Sequence, residues 1–557
     1  MISGNSDKAS VTQPQQQLKV IEGGRPQPGC YTLYKYDSWS IAFEIWTHLL
    51  RNGDAIGKRF RFLFQISFSL YPSLADAHTW SFTTSSIQNP SQAYTVDMVL
   101  IKLNPTVDAT DAVASSKHSA VLHRHLDTTF LNMTRSEGNF LILENDRKIF
   151  DASGGAAVGC LGWGNQRVAQ AVTNQVLAAP YCATIFYTTK VQEELCRDLV
   201  QSTNGAMARA YIVNSGSEAM EAAVKLARQY FLEIDQPQRT RFISRKQSYH
   251  GITLGALSVG GHEVRRAKFE PLLIQNVSRV SPCNAFRGKA PGESDEEYAE
   301  RLAKELDEEF QRVGPENVCA FVAEPIVGAG YFKAVRDVCD KYGALLILDE
   351  VMCGMGRSGT LHAWEQEGIV PDIQTVGKAL GGGYQPVAGL LAGHRVVNAL
   401  EKGSSVFVHG HTYQGHPAAC AAALEVQRIV REENLLSNVR AMGDLLSSRL
   451  REILASHPNV GDIRGRGLFW GIEFVADKEN MAPFPSEDHV CMEICQLGLT
   501  DKYGINVYPG GGSVDGVTGD HIIISPAFNI SREDVEWIAA TVGRLVSDYF
   551  APKAVTQ

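Results

Sequence analysis

A lysine set between an apolar run and a string of glycines is a candidate for chemistry. Thr375-Val376-Gly377-Lys378-Ala379-Leu380-Gly381-Gly382-Gly383-Tyr384 has that form. Lysine is seldom buried without a reason. Desolvation lowers its pKa, and the neutral amine can then attack carbonyl carbon and carry protons. Upstream, Leu346-Ile347-Leu348-Asp349-Glu350-Val351 brings two consecutive carboxylates to the end of an apolar run. A buried anion there needs a partner, because an unpaired one is costly. A protonated ring nitrogen would serve; a metal ion is the competing use, but no histidine cluster or further carboxylate stands near.

Three other stretches carry suitable groups. Asn214-Ser215-Gly216-Ser217-Glu218 opens a helical pattern, and its small residues would leave N–H groups free to face a phosphate. The same residues also suit an ordinary helix cap. Ser248-Tyr249-His250-Gly251 offers an aromatic face for a flat heterocycle, or simply a core aromatic. His409-Gly410-His411-Thr412-Tyr413-Gln414-Gly415-His416-Pro417 reads as a polar loop for a phosphate or an adjacent subunit, since no ligand set accompanies its histidines. Arg464-Gly465-Arg466-Gly467 is only half of a dinucleotide fingerprint.

The elements around these groups alternate between strand-like and helical from about residue 116. Strands are predicted at Ala210–Val213, Thr240–Ile243, Ala320–Ala323, Ala344–Leu348 and Ile373–Val376. Helices are predicted at Ser217–Phe231, Ser294–Arg312, Pro417–Glu432, Ser437–Ser456 and Ser531–Tyr549. Such alternation implies an α/β protein with a mostly parallel sheet. Most of the motifs follow strands, so they should meet in one crevice beyond the strands' carboxyl ends.

Composition narrows the classes. The 557 residues hold 52 Lys and Arg against 61 Asp and Glu, a net charge of −9, which gives no footprint for nucleic acid or an anionic membrane. The 11 cysteines contain no CxxC pair and suit free thiols in a reducing compartment. No basic segment followed by an apolar core opens the chain, so a cytoplasmic location is expected. Residues 1–115 show no sustained period and are expected to form a poorly ordered extension.

The order of the motifs is more specific than any one of them. It resembles the class-III (omega-type) aminotransferase family of fold-type I pyridoxal-phosphate (PLP) enzymes, from about Leu122 to Asp548. Arg135-Ser136-Glu137-Gly138, Asp349 through Gly359, and Gly377 through Tyr384 carry the likeness. The resemblance implies a large domain with a seven-stranded, mostly parallel sheet over 166–439. It implies a small α+β domain from 116–165 and 440–557. It further implies that Lys378 carries PLP as a Schiff base and shuttles the proton. Asp349 would pair with the ring nitrogen, Gly216 and Ser217 would hold the phosphate, and Tyr249 and Val351 would cover the ring faces. Glu324 would lie near the cofactor. Thr412 would reach the phosphate of a neighbouring subunit, which implies a homodimer with shared sites.

The implied reaction moves an amino group from an amine or amino acid to a keto acid or aldehyde, in two half-reactions through pyridoxamine phosphate. An aminomutase, decarboxylase or lyase on the same scaffold is the alternative, with a degenerate PLP-binding protein behind it. One departure bears on substrate. Where ornithine- and GABA-type members use a Glu and an Arg for substrate carboxylates, this chain has Ala329 and Ile523, and the loop Tyr508 to Asp520 holds no Arg. A broad amine or unusual amino-acid donor is therefore expected.

Overall fold

A computed structural model describes residues 119–326 and 330–552, with the backbone of three short strands before them. The chain divides into two compact units, Met1–Asn104 and Pro105–Gln557. In the first, Leu63–Phe64 pairs antiparallel with Thr84–Ser85. Apart from these strands and Ala112–Ser115, the expectation of an extension over 1–115 falls outside the described residues.

In the second unit, β1 (Met133–Glu137), β2 (Phe140–Leu143) and β3 (Lys148–Asp151) form an antiparallel meander. Helices α1 (Gln166–Ala178) and α2 (Lys190–Gln201) follow, each opened by a polar cap. The Asn165 side chain accepts from the N–H groups of Arg167 and Val168, and that of Thr189 from Gln192. Next come β4 (Met207–Val213), α3 (Gly216–Glu233), β5 (Arg241–Arg245), β6 (Val277–Val280), α4 (Asp295–Val313) and β7 (Val318–Ala323). They are followed by β8 (Leu345–Asp349), β9 (Ile373–Val376) and β10 (Ala388–Gly393).

Seven of these strands make one sheet in the order β6-β5-β7-β8-β9-β10-β4. Its first five strands run parallel, and β10 is antiparallel to both β9 and β4. Every residue of β7, β8 and β9 is buried. Such strands are covered on both faces, which explains the unbroken apolar sequence of β7 and of β8 up to Asp349. The register sets Asp349 opposite Thr375. The five predicted strands coincide with β4, β5, β7, β8 and β9 to within a few residues, and Asp349 closes β8 itself. The strand β10 was not anticipated: Ala-Gly-Leu-Leu-Ala-Gly lacks the β-branched and aromatic residues that mark strands.

The chain continues through α5 (Pro417–Glu432), α6 (Leu435–Leu454), β11 (Val460–Arg466), β12 (Phe469–Phe474), β13 (Ile505–Asn506), β14 (Tyr508–Gly510), β15 (His521–Ile524) and α7 (Arg532–Phe550). A second sheet runs β11-β12-β15-β14, and a third β13-β3-β2-β1. The third joins distant parts of the sequence, with Asn506 opposite Asp151. The Ser525 N–H donates to the Ala152 carbonyl at 2.8 Å and that of Phe528 to Cys160 at 2.7 Å. Among the described residues no helix is long and apolar enough to cross a membrane.

Candidate active site

Strand β9 ends at Val376, and Gly377 continues extended with φ −173°. Lys378 then turns into the left-handed region at φ +44°, a conformation that non-glycine residues adopt at a cost. The N–H groups of Gly381 and Gly382 donate to its carbonyl at 3.2 and 3.0 Å and hold the turn. Burial pushes the Lys378 amine down to about 8, while the negative charge of Asp349 pulls the other way. The amine makes no hydrogen bond or ion pair among the described residues, so it is free for a covalent partner.

Asp349 is 6% exposed and fixed from three sides. Its Oδ2 accepts from His250 Nδ1 at 2.8 Å. Its Oδ1 accepts from the Val351 N–H at 3.0 Å and from the Thr375 hydroxyl at 3.2 Å. Burial disfavours a charged His250, but the Glu324 and Asp349 carboxylates outweigh it and raise its pKa. His250 Nε2 is buried without a partner among the described residues. Glu324 in turn accepts from the Tyr249 N–H at 3.0 Å and from Arg245 Nη2 at 2.8 Å. Against the effect of burial, the neighbouring His250 and Arg245 hold the Glu324 carboxyl down to about 2. Arg245, Glu324 and His250 thus form the surroundings that keep Asp349 oriented. Tyr249 stays 43% exposed, and the Arg265 guanidinium lies 4.8 Å from its ring centre.

At the start of α3, Ser215 and Glu218 form a reciprocal cap. The N–H groups of Gly216 and Ser217 donate to no protein group among the described residues. The Ser217 hydroxyl accepts from the Ile252 N–H at 3.0 Å, which leaves its own proton to donate. A Cβ on Gly216 would meet Val351 Cγ1 at 2.6 Å, and one on Gly377 would meet the same atom at 3.1 Å. Two glycines thus let Val351 sit between the helix start and the lysine turn.

The structure also separates residues that look alike in sequence. Glu350 points away from Asp349, as successive strand residues must. It is fully buried and accepts from the N–H groups of Ala363 and Trp364 at 2.7 and 2.8 Å and from Gln374 Nε2 at 2.9 Å. Arg357, fully buried, donates to the carbonyls of Leu468, Pro526 and Gly159 and ties the segment after β8 to the chain's end. Arg464 pairs with Asp462 and Glu473, and Arg466 with Glu367, which occupies both in structural ion pairs. Thr412 is exposed, in a turn held by the Gly415 N–H on the Ile212 carbonyl at 2.9 Å. Ala329 lies outside the described residues. Sequence reasoning left His250 as a default core residue. Its place directly after the aromatic of a strand-end motif was the signal.

Comparison with known proteins decides the family. The model of the class-III aminotransferases matches residues 121–545. The chain belongs to the class-III aminotransferase family. An aminotransferase of Gibberella zeae is 53% identical over 78% of this chain and 87% of its own length. A gamma aminobutyrate transaminase of Solanum lycopersicum is 34% identical over 75% of this chain and 81% of its own. The omega transaminase of Pseudomonas jessenii, solved in complex with PMP, superposes with a TM-score of 0.71 at 30% identity, covering 81% of this chain and 96% of that one. The class-III chain described here is accordingly a PLP-dependent aminotransferase of fold-type I. Its residues fit that cofactor: an unpartnered buried amine at Lys378, a fixed carboxylate at Asp349 and unmet N–H groups at Gly216 and Ser217.

Proposed function

We propose that this aminotransferase works through Lys378 and Asp349, with Gly216, Ser217, Tyr249, Val351 and Glu324 holding the cofactor between them. PLP, when bound, supplies an electron sink for the bond broken at the donor's α-carbon. Lys378 Nζ takes the proton from that carbon and returns it on the other side of the reaction, a task suited to an amine whose pKa burial has brought to about 8. Asp349, held by its three hydrogen bonds, would pair with a protonated ring nitrogen. The free N–H groups at the start of α3 and the Ser217 hydroxyl would hold the phosphate, helped by the helix dipole. Val351 and Tyr249 would cover the ring.

The division into a large cofactor domain, 166–439, and a small domain, 116–165 with 440–557, is part of this reading. It is supported by the seven-stranded sheet lying within 207–393 while the other two sheets draw on 133–151 and 460–524. So is the homodimer, in which an exposed Thr412 reaches the neighbouring subunit's phosphate. The donor is an amine or an amino acid other than the glutamate type.

The observation that carries the reading is the free, buried Lys378 amine within the field of Asp349. The test is a half-reaction. Donor alone should convert bound cofactor to pyridoxamine phosphate, and a keto acid should restore it. Lys378→Ala should abolish turnover while cofactor still binds non-covalently. A Lys378→Ala enzyme with full activity refutes the assignment.

A further inference from the structure

A transaminase that accepts keto acids needs a cation for their carboxylate, and the loop Tyr508 to Asp520 contains none from arginine. The nearby arginines are already engaged. Arg245 is held by Glu324, Arg266 by Glu270, Arg287 by Glu473, and Arg464 and Arg466 by the carboxylates named above. Arg265 differs. It lies in the short helix Glu263–Arg266, and its side chain makes no hydrogen bond or ion pair among the described residues. Its contact is the Tyr249 ring, 4.8 Å from the guanidinium carbon.

We propose that Arg265 is the carboxylate-binding residue of this enzyme, gripping the α-carboxylate of a keto-acid acceptor above Tyr249 in place of an arginine from the 508–520 loop. The inference rests on the aminotransferase reading and on Tyr249 covering the cofactor. A guanidinium held against an aromatic ring keeps its N–H donors available to pair with a carboxylate by two parallel bonds. The Tyr249 hydroxyphenyl group is 43% exposed, so the space beside it is open to substrate. The 508–520 loop also closes on this same short helix. A Cβ on Gly516 would meet Glu263 Cγ at 2.7 Å, and Gln247 Nε2 donates to the Val514 carbonyl at 2.7 Å. Arg265 thus stands on the short helix that this loop packs against. The positive charge is felt locally, since burial and then Arg265 lower the His262 pKa.

The test compares wild type, Arg265→Ala and Arg265→Lys in separate half-reactions on the holoenzyme. Arg265→Ala should weaken the apparent affinity for pyruvate by about tenfold or more, the size expected for a lost charge-assisted pair. Its half-reactions with a carboxylate-free amine and with a neutral aldehyde should stay within about twofold. Calorimetric binding of the non-reacting dicarboxylate glutarate should weaken in parallel, and Arg265→Lys should fall between. The absorbance band of the lysine-bound cofactor should not move. Equal losses with charged and neutral substrates, or unchanged glutarate binding, overturn the proposal. A wild-type protein that never yields pyridoxamine phosphate from any donor overturns the function reading, and this inference with it.

Discussion

The lysine that gives the site its chemistry should titrate more than two units below an ordinary lysine. Burial lowers Lys378 from 10.5 to about 8. At pH 7.5 an amine of pKa 8 is about one-quarter neutral, against about 0.1% for one of pKa 10.5, so its reactive fraction is over a hundredfold larger. The assay uses cofactor-free protein and pyridoxal, which lacks the phosphate and so reports the amine rather than the phosphate pocket. Borohydride trapping at a series of pH values, with the Lys378 peptide quantified by mass spectrometry, gives the titration directly. A short lysine-containing peptide serves as the reference. The midpoint for Lys378 should fall near 8 and that for the reference peptide well above it. Asp349→Asn removes the negative charge that favours the ammonium form, so the Lys378 midpoint should move lower still. A midpoint shared with the reference peptide, or one that rises in Asp349→Asn, would refute the account of an amine activated by burial and restrained by Asp349.

Three further outcomes follow from packing and burial. Gly216→Ala places a methyl 2.6 Å from Val351 Cγ1, so cofactor affinity should fall by about tenfold or more, with Val351→Ala restoring part of it in a dissociation titration. Glu350→Ala strands three buried N–H donors and should cost about 3 kcal/mol or more in denaturant unfolding, with the fold's midpoint shifting and its slope unchanged. His362 is fully buried between Ser202 Oγ and Gln374 Nε2, and burial lowers its pKa from 6.5 to about 4. Its folded-state pKa lies below the unfolded one, so its contribution is complete above about pH 6.5 and lost as pH falls towards 4, about 3 kcal/mol in all. A His362→Gln protein should show a flatter loss of stability across that window.

What could be read from the sequence and what could not divide along physical lines. The unbroken apolar run ending in Asp349 announced a buried parallel strand, because strands covered on both faces carry such runs, while Ile373–Val376 was marked by its β-branched residues. The amphipathic helices with Ser or Pro at their starts were legible for the same kind of reason. The strand Ala388–Gly393 was not, since two glycines and small residues give it no strand signature. The separate fates of Asp349 and Glu350 follow from strand alternation, yet which of the two faces the crevice depends on the sheet's neighbours. The His250–Asp349 bond spans 99 positions and the Arg357–Pro526 bond 169, and no local pattern encodes either.

The bonds from Asp151, Ala152 and Cys160 to residues 506–528, with Arg357 clasping Pro526, have a consequence for biosynthesis. The segments that surround the lysine turn are completed by the part of the chain made last. A nascent polypeptide that has not yet released β13 and β15 leaves β3 paired on one side alone, with β2, and the Arg357 guanidinium without the Pro526 carbonyl. The surroundings of the lysine turn are therefore complete only once residues 506–528 have emerged and packed.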